Sequence, residues 1–182
     1  MTAGPGPRGP LAALARDAPR PLRLGLAGGL ALVLAVRLVP LPAVFVDGLV
    51  VLSSNDPYLS RVLVDRALAG GLGPSLSADV RTGEPLLVVA LWLVALPASG
   101  SPWATGAVVA VYPVVAALAT GLLVYGLAAR AAGDARVGLA ALALFATTPA
   151  HAYRSGLGMA DHHAFDYLWL ALTAYALVTL LS

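Results

Sequence analysis

The sequence predicts an all-α membrane protein with four transmembrane helices and one long outer loop. Three observations carry that expectation. Hydrophobic residues make up 59% of the chain and charged residues only 11%, with a mean hydropathy of +0.86, far from the composition of a soluble domain. Apolar runs recur that approach or exceed the length needed to cross a hydrocarbon core of ~30 Å. Nearly all the charges fall between those runs rather than within them.

Charge and cysteine content exclude several classes. All 11 basic residues are arginine, and the net charge is only +2, so no nucleic-acid-binding face is expected. There are no cysteines, which rules out disulfides and thiolate metal sites. No repeat of fixed period stands out from the Ala/Leu/Val bias.

Residues 1–23 hold five prolines and four arginines against the single acid Asp17, and read as a disordered cytoplasmic tail. The first span covers about 24–45, uncleaved, because no small-residue cleavage site follows it. Pro40-Leu-Pro42 kinks or ends it. Arg37 lies inside this run, and snorkelling to the outer interface is expected over a polar interior position.

The outer loop, 46–102, carries five acids and three arginines. Asn55-Asp56-Pro57-Tyr58 opens a weakly amphipathic helix, with Asp56 as cap and Pro57 at the first helical position. Leu59, Val62, Leu63 and Ala67 form its apolar side, and Gly70-Gly71 stops it. Residues 72–84 are turn-rich. Pro85–Leu96 is apolar but reaches only ~18 Å as a helix, so it is expected not to span.

A second span, about 103–128, is followed by a short link with Arg130, Asp134 and Arg136. The third, about 137–149, is marginal in length but can lengthen through Ala150–Tyr153. The fourth runs from about 164 to 182. Six arginines in the tail and the 129–136 link, against four arginines diluted by six acids opposite, place the N-terminus in the cytoplasm. The chain is thus expected to be multi-pass in the cell membrane, with Asp56 and Asp161 both facing outward.

Chemistry concentrates in Arg154-Ser-Gly-Leu-Gly-Met-Ala-Asp-His-His163. In an extended segment, residues i and i+2 point the same way, so Asp161 and His163 can converge on one ion while His162 points away. The alternative is that Asp161 caps the helix that follows. The two roles are compatible. Tyr58, Asp65 and Asp166 read as structural and His151 as interfacial.

The two acidic outer motifs in order resemble those of oligosaccharyltransferase catalytic subunits, most of all the archaeal dolichyl-phosphooligosaccharide–protein glycotransferases. Asn55-Asp56-Pro57-Tyr58 with Arg61 resembles the family's first-loop acidic motif. Arg154-Ser155, Gly158 and Asp161-His162-His163 resemble its second motif, Arg-Ser/Thr-x-x-Gly-x-x-Asp-x-Asp/Glu/His. The resemblance implies that residues 24–182 are the N-terminal part of a GT-C-type glycosyltransferase membrane domain. It implies Asp56, Asp161 and His163 as ligands of a Mn²⁺ or Mg²⁺ ion, a donor set that suits a hard or borderline cation. It further implies Asp56 as the carboxylate orienting the acceptor amide, and Arg154 as a contact for the donor phosphate. The partners would be membrane lipid, a lipid-linked oligosaccharide donor and an acceptor polypeptide bearing Asn-x-Ser/Thr, with no nucleic acid.

Family members continue through more spans and a soluble domain with a WWDYG-like motif, absent here. The expectation is therefore an N-terminal fragment, inactive alone. Two rivals remain: another polyprenyl-phosphate-sugar glycosyltransferase, and a small polytopic transporter or scaffold, for which mid-span ionisable residues would be diagnostic.

Overall fold

The structure is a computed structural model that describes residues 19–73 and 84–181. Residues 1–18 of the expected tail, and most of the turn-rich stretch, lie outside the described residues. The architecture is a helical bundle. Its elements are α1 (Arg20–Arg37), α2 (Leu41–Val44), β1 (Phe45–Val46), β2 (Leu49–Val50), α3 (Asn55–Gly70), α4 (Pro85–Ala95), α5 (Pro102–Ala132), α6 (Ala135–Thr147), α7 (Pro149–Arg154) and α8 (His162–Leu181).

Two helices are long and apolar enough to cross a membrane, α5 with a mean hydropathy of 2.3 and α8 with 1.6. At 1.5 Å per residue, the 31 residues of α5 reach about 46 Å and the 20 of α8 about 30 Å. α5 starts cleanly because Ser101 Oγ accepts from the Ala104 amide at 3.2 Å and Pro102 has no amide to satisfy. It ends at Gly133, in the left-handed conformation. α8 presents Trp169, Leu170, Leu177 and Leu180 on exposed surface, the outward face expected of a helix in lipid.

The other two expected spans are shorter. α1 has 18 residues and carries Arg20, Arg23 and Arg37. α6 has 13 and stops at Thr148, whose ψ of 116° is extended because Pro149 follows. The chain resumes helix as α7, so the lengthening expected through Tyr153 is a bend. α4 has 11 residues, ends in a 3₁₀ turn and packs on α3 and α5 through Val64, Leu87, Leu91 and Ala95.

Two local expectations are corrected. Helix α3 begins at Asn55 with Ser54 before it, so Asp56 sits within the first turn, where its charge complements the helix dipole. Its buried residues are Pro57, Leu63, Val64 and Ala67, whereas Leu59 and Val62 are exposed. Arg61 explains the rotation: its guanidinium bonds Asp65 at 3.0 Å and the Pro102 carbonyl, tying α3 to the start of α5. The hairpin β1–β2 is the one departure from all-α among the described residues. Asp47 and Gly48 both have positive φ, 49° and 77°, as a two-residue type I′ turn requires.

α1, α5 and α6 share a core of Val33, Ala117, Leu142, Phe145 and Ala146. Glycines let these helices approach closely. Gly25 and Gly29, one turn apart, face Leu139 and Leu142, and a Cβ on Gly138 would stand 2.7 Å from the Tyr125 carbonyl oxygen. Gly28 faces nothing within 4 Å. Alanine at these two positions should therefore act in opposite directions. Gly138→Ala should lower the unfolding midpoint in detergent, at a cost of about 1–3 kcal/mol from forced separation of α5 and α6. Gly28→Ala should raise it by up to ~1 kcal/mol through helix propensity. Equal effects would mean α5 and α6 are not in backbone contact.

Candidate metal centre

The segment from Ser155 to Asp161 is buried throughout, although its composition reads as a polar surface loop. A buried loop must find partners for its backbone amides. Of the amides from 155 to 161, all but that of Ala160 have a backbone acceptor. Leu157 donates to the Arg37 carbonyl at 2.9 Å, and Gly158 donates to the Ala110 carbonyl at 2.9 Å. One residue earlier the α5 ladder is already interrupted, because Pro113 has no amide for the Val109 carbonyl. Gly158 has a φ of +81°, and a Cβ there would meet Val44 at 2.8 Å and Ser53 Oγ at 2.9 Å, so glycine is required on both counts.

Arg37 organises this loop. It is fully buried, which corrects the expectation of snorkelling. Its guanidinium donates to the Phe145 carbonyl at 3.1 Å, to the Ala146 carbonyl and to Ser155 Oγ at 3.3 Å, and lies 5.0 Å from the Phe145 ring centroid. Phe145 and Ala146 are in the last turn of α6, where carbonyls lack amide partners and a cation is favoured. Ser155 Oγ in turn donates to the His151 carbonyl. One buried side chain thus joins α1, α6, α7 and the loop.

Asp161 is 2% exposed. Its Oδ1 accepts from the His163 amide at 2.9 Å and stands 3.0 Å from His163 Nδ1. Its Oδ2 pairs with Arg154 at 3.5 Å. The Tyr112 hydroxyl, from α5, donates to its backbone carbonyl. The carboxylate therefore does cap α8, and the cap itself swings it against the histidine ring. This corrects the expectation that the pair needs an extended segment, since His162 and His163 already belong to the first turn of α8. His162 is not turned away either. The two imidazole centroids are 4.2 Å apart, and ligand atoms of Asp161, His162 and His163 all lie within 4.8 Å of one another.

Asp56 is outside that group, exposed on the first turn of α3. Its loop is nevertheless stitched to the loop that leads to Asp161. The Ser53 amide donates to the Gly158 carbonyl at 3.1 Å, and Ser54 Oγ reaches Met159 Sδ at 3.7 Å. Both acidic motifs thus sit at one end of the bundle. Tyr58 and Asp65 act structurally, the former accepting from the Leu52 amide at 3.2 Å.

Two features escaped sequence reasoning. Tyr112 gave no signal, being one aromatic within a long apolar run. It also walls an apolar groove of about 340 Å³ between α4, α5 and α8, lined by Leu87, Leu91, Val108, Phe165 and Leu168 among others. His151 is half-buried, its ring 4.4 Å from that of Tyr167.

No family model, curated protein or solved structure matches this chain.

Arg37→Lys tests the loop's anchor. A snorkelling arginine would tolerate the exchange, but one ammonium cannot span three separate acceptors in the same plane. The expected cost is about 2–4 kcal/mol, from charge-assisted hydrogen bonds lost in a buried site, read as a fall in thermal midpoint. An unchanged midpoint would show that Arg37 does not anchor the loop.

Proposed function

We propose that the chain is the metal-bearing membrane portion of an oligosaccharyltransferase-type glycosyltransferase. In this reading it transfers a glycan from a lipid-linked donor to asparagine in Asn-x-Ser/Thr, with the site on the outer face of the cell membrane. The observation that carries it is the juxtaposition of the two acidic motifs. The loop before Asp56 is hydrogen-bonded to the loop before Asp161, and the Asp161 carboxylate lies 3.0 Å from an imidazole nitrogen.

The chemistry follows from the donors. In an octahedral shell with bonds of about 2.1 Å, adjacent ligand atoms stand about 3.0 Å apart, which matches the separation of Asp161 Oδ1 and His163 Nδ1. Asp161 and His163 would hold the divalent cation, Mn²⁺ or Mg²⁺, which would supply Lewis-acid stabilisation to the departing phosphate. Arg154, 42% exposed, can turn part of its guanidinium towards a phosphate while still paired with Asp161. Asp56 is the carboxylate that orients the acceptor amide, and a ligand role for it requires the two loops to draw closer. The apolar groove beside Tyr112 gives a lipid tail a place next to the polar site. Four crossings, formed by α1, α5, α6 with α7, and α8, would put both motifs on one side.

A transporter reading draws on Arg37, an ionisable group buried in the bundle. Its bonds to the Phe145 and Ala146 carbonyls and to Ser155 make it a structural anchor instead, which favours the enzyme.

Conservative amide substitutions separate fold from chemistry. Asparagine caps a helix about as well as aspartate, so Asp161→Asn should leave expression and monodispersity intact. In peptide glycosylation by the complete glycosyltransferase that carries this portion, with a lipid-linked donor and Mn²⁺, Asp161→Asn, His163→Ala and Asp56→Asn should each lower transfer by at least on the order of 10²-fold. Full transfer by Asp161→Asn would reduce that residue to a helix cap and remove the proposal's basis.

A further inference from the structure

The geometry points to His162 as a third protein ligand, which makes Asp161-His162-His163 a self-contained site selective for a borderline transition ion over Mg²⁺. This rests on the metal-binding half of the reading above and is independent of glycan transfer.

The inference starts from the cap. Because Asp161 precedes α8 and its Oδ1 takes the His163 amide, the carboxylate lies over the first helical turn. His162 and His163 occupy the first two positions of that turn. Their rings tilt by only 31° at a 4.2 Å centroid separation, and both are half-buried. Within an octahedral shell, ligand atoms are separated by about 3.0 Å when adjacent and about 4.2 Å when opposite. The three side chains lie inside a 4.8 Å span, so small rotations bring all three onto one ion.

Ligand chemistry then decides which ion. Two imidazoles and one carboxylate suit Mn²⁺, Fe²⁺, Co²⁺ or Zn²⁺, whereas Mg²⁺ favours oxygen donors and retained water. Three ligands from one turn occupy one side of the ion. Arg154 stands 3.5 Å from Asp161 Oδ2, so an anion completing the shell would have a guanidinium close by. Asp161, nearly sealed from solvent and fixed on both oxygens, supplies the rigid member of the set.

Pulsed EPR of the full chain in nanodiscs loaded with Mn²⁺ counts the coordinated imidazole nitrogens directly. Two are expected in the unmodified chain and one in His162→Ala, with Mn²⁺ affinity lowered at least about tenfold. His162→Gln, which keeps side-chain bulk at this half-buried helical turn, should lose the same nitrogen. Mg²⁺ at roughly 100-fold excess should leave the Mn²⁺ signal in place. One nitrogen in the unmodified chain, with affinity unchanged in both His162 variants, would overturn the inference. Glycan transfer supported fully by Mg²⁺ with a single-nitrogen signal would do the same while sparing the enzyme reading. Two nitrogens here, with transfer by the complete glycosyltransferase unaffected by Asp161→Asn, would support the site and overturn only the enzyme reading.

Discussion

A single buried guanidinium holds together the end of the bundle that leads to Asp161. Removing a charge from water is costly, and Arg37 pairs with no carboxylate among the described residues. The compensation comes from backbone carbonyls at the end of α6, which carry partial negative charge and lack amide partners of their own. The arrangement satisfies two deficits at once, a buried cation and a helix end. It also fixes where the next segment runs, because the Arg37 carbonyl accepts from Leu157 and its side chain holds Ser155. The loop reaching Asp161 is therefore placed from its start, and the kinship between α1 and the site is mechanical.

From that placement the site's chemistry follows from helix capping. A carboxylate before a helix accepts from the amide two positions on, and here that position is a histidine whose ring nitrogen comes to the same oxygen. Capping and the proposed cation binding are two uses of one geometry. The cap pre-orients the ligand without a cation, which lowers the ordering cost of binding one. Tyr112 and Arg154 hold the residue's remaining polar atoms, so Asp161 has little freedom.

Helical class, the start of α5 and the short length of α4 were legible from apolar run length, whereas α5 runs four residues past its expected end and takes in Arg130. Other features were hidden because tertiary contacts decide them. Arg37 reads as a charge near the end of a span, and only the approach of α6 makes burial affordable. Leu59 and Val62 looked like core, but the Arg61 contact with Pro102 turns α3 so that Val64 packs instead. The Asp47-Gly48 hairpin carried a readable signal that the membrane pattern overshadowed. His162 was misjudged because the segment was read as extended when it is already helix.

The central claim, that Asp161 and His163 bind a divalent cation at the anchored end of the bundle, is tested most directly by anomalous X-ray diffraction at the manganese edge. Crystals grown with Mn²⁺ should show a peak about 2.0–2.3 Å from an Asp161 carboxylate oxygen and from a His163 ring nitrogen. An absence of anomalous density there, with Asp161 still capping α8 and paired with Arg154, would contradict the account.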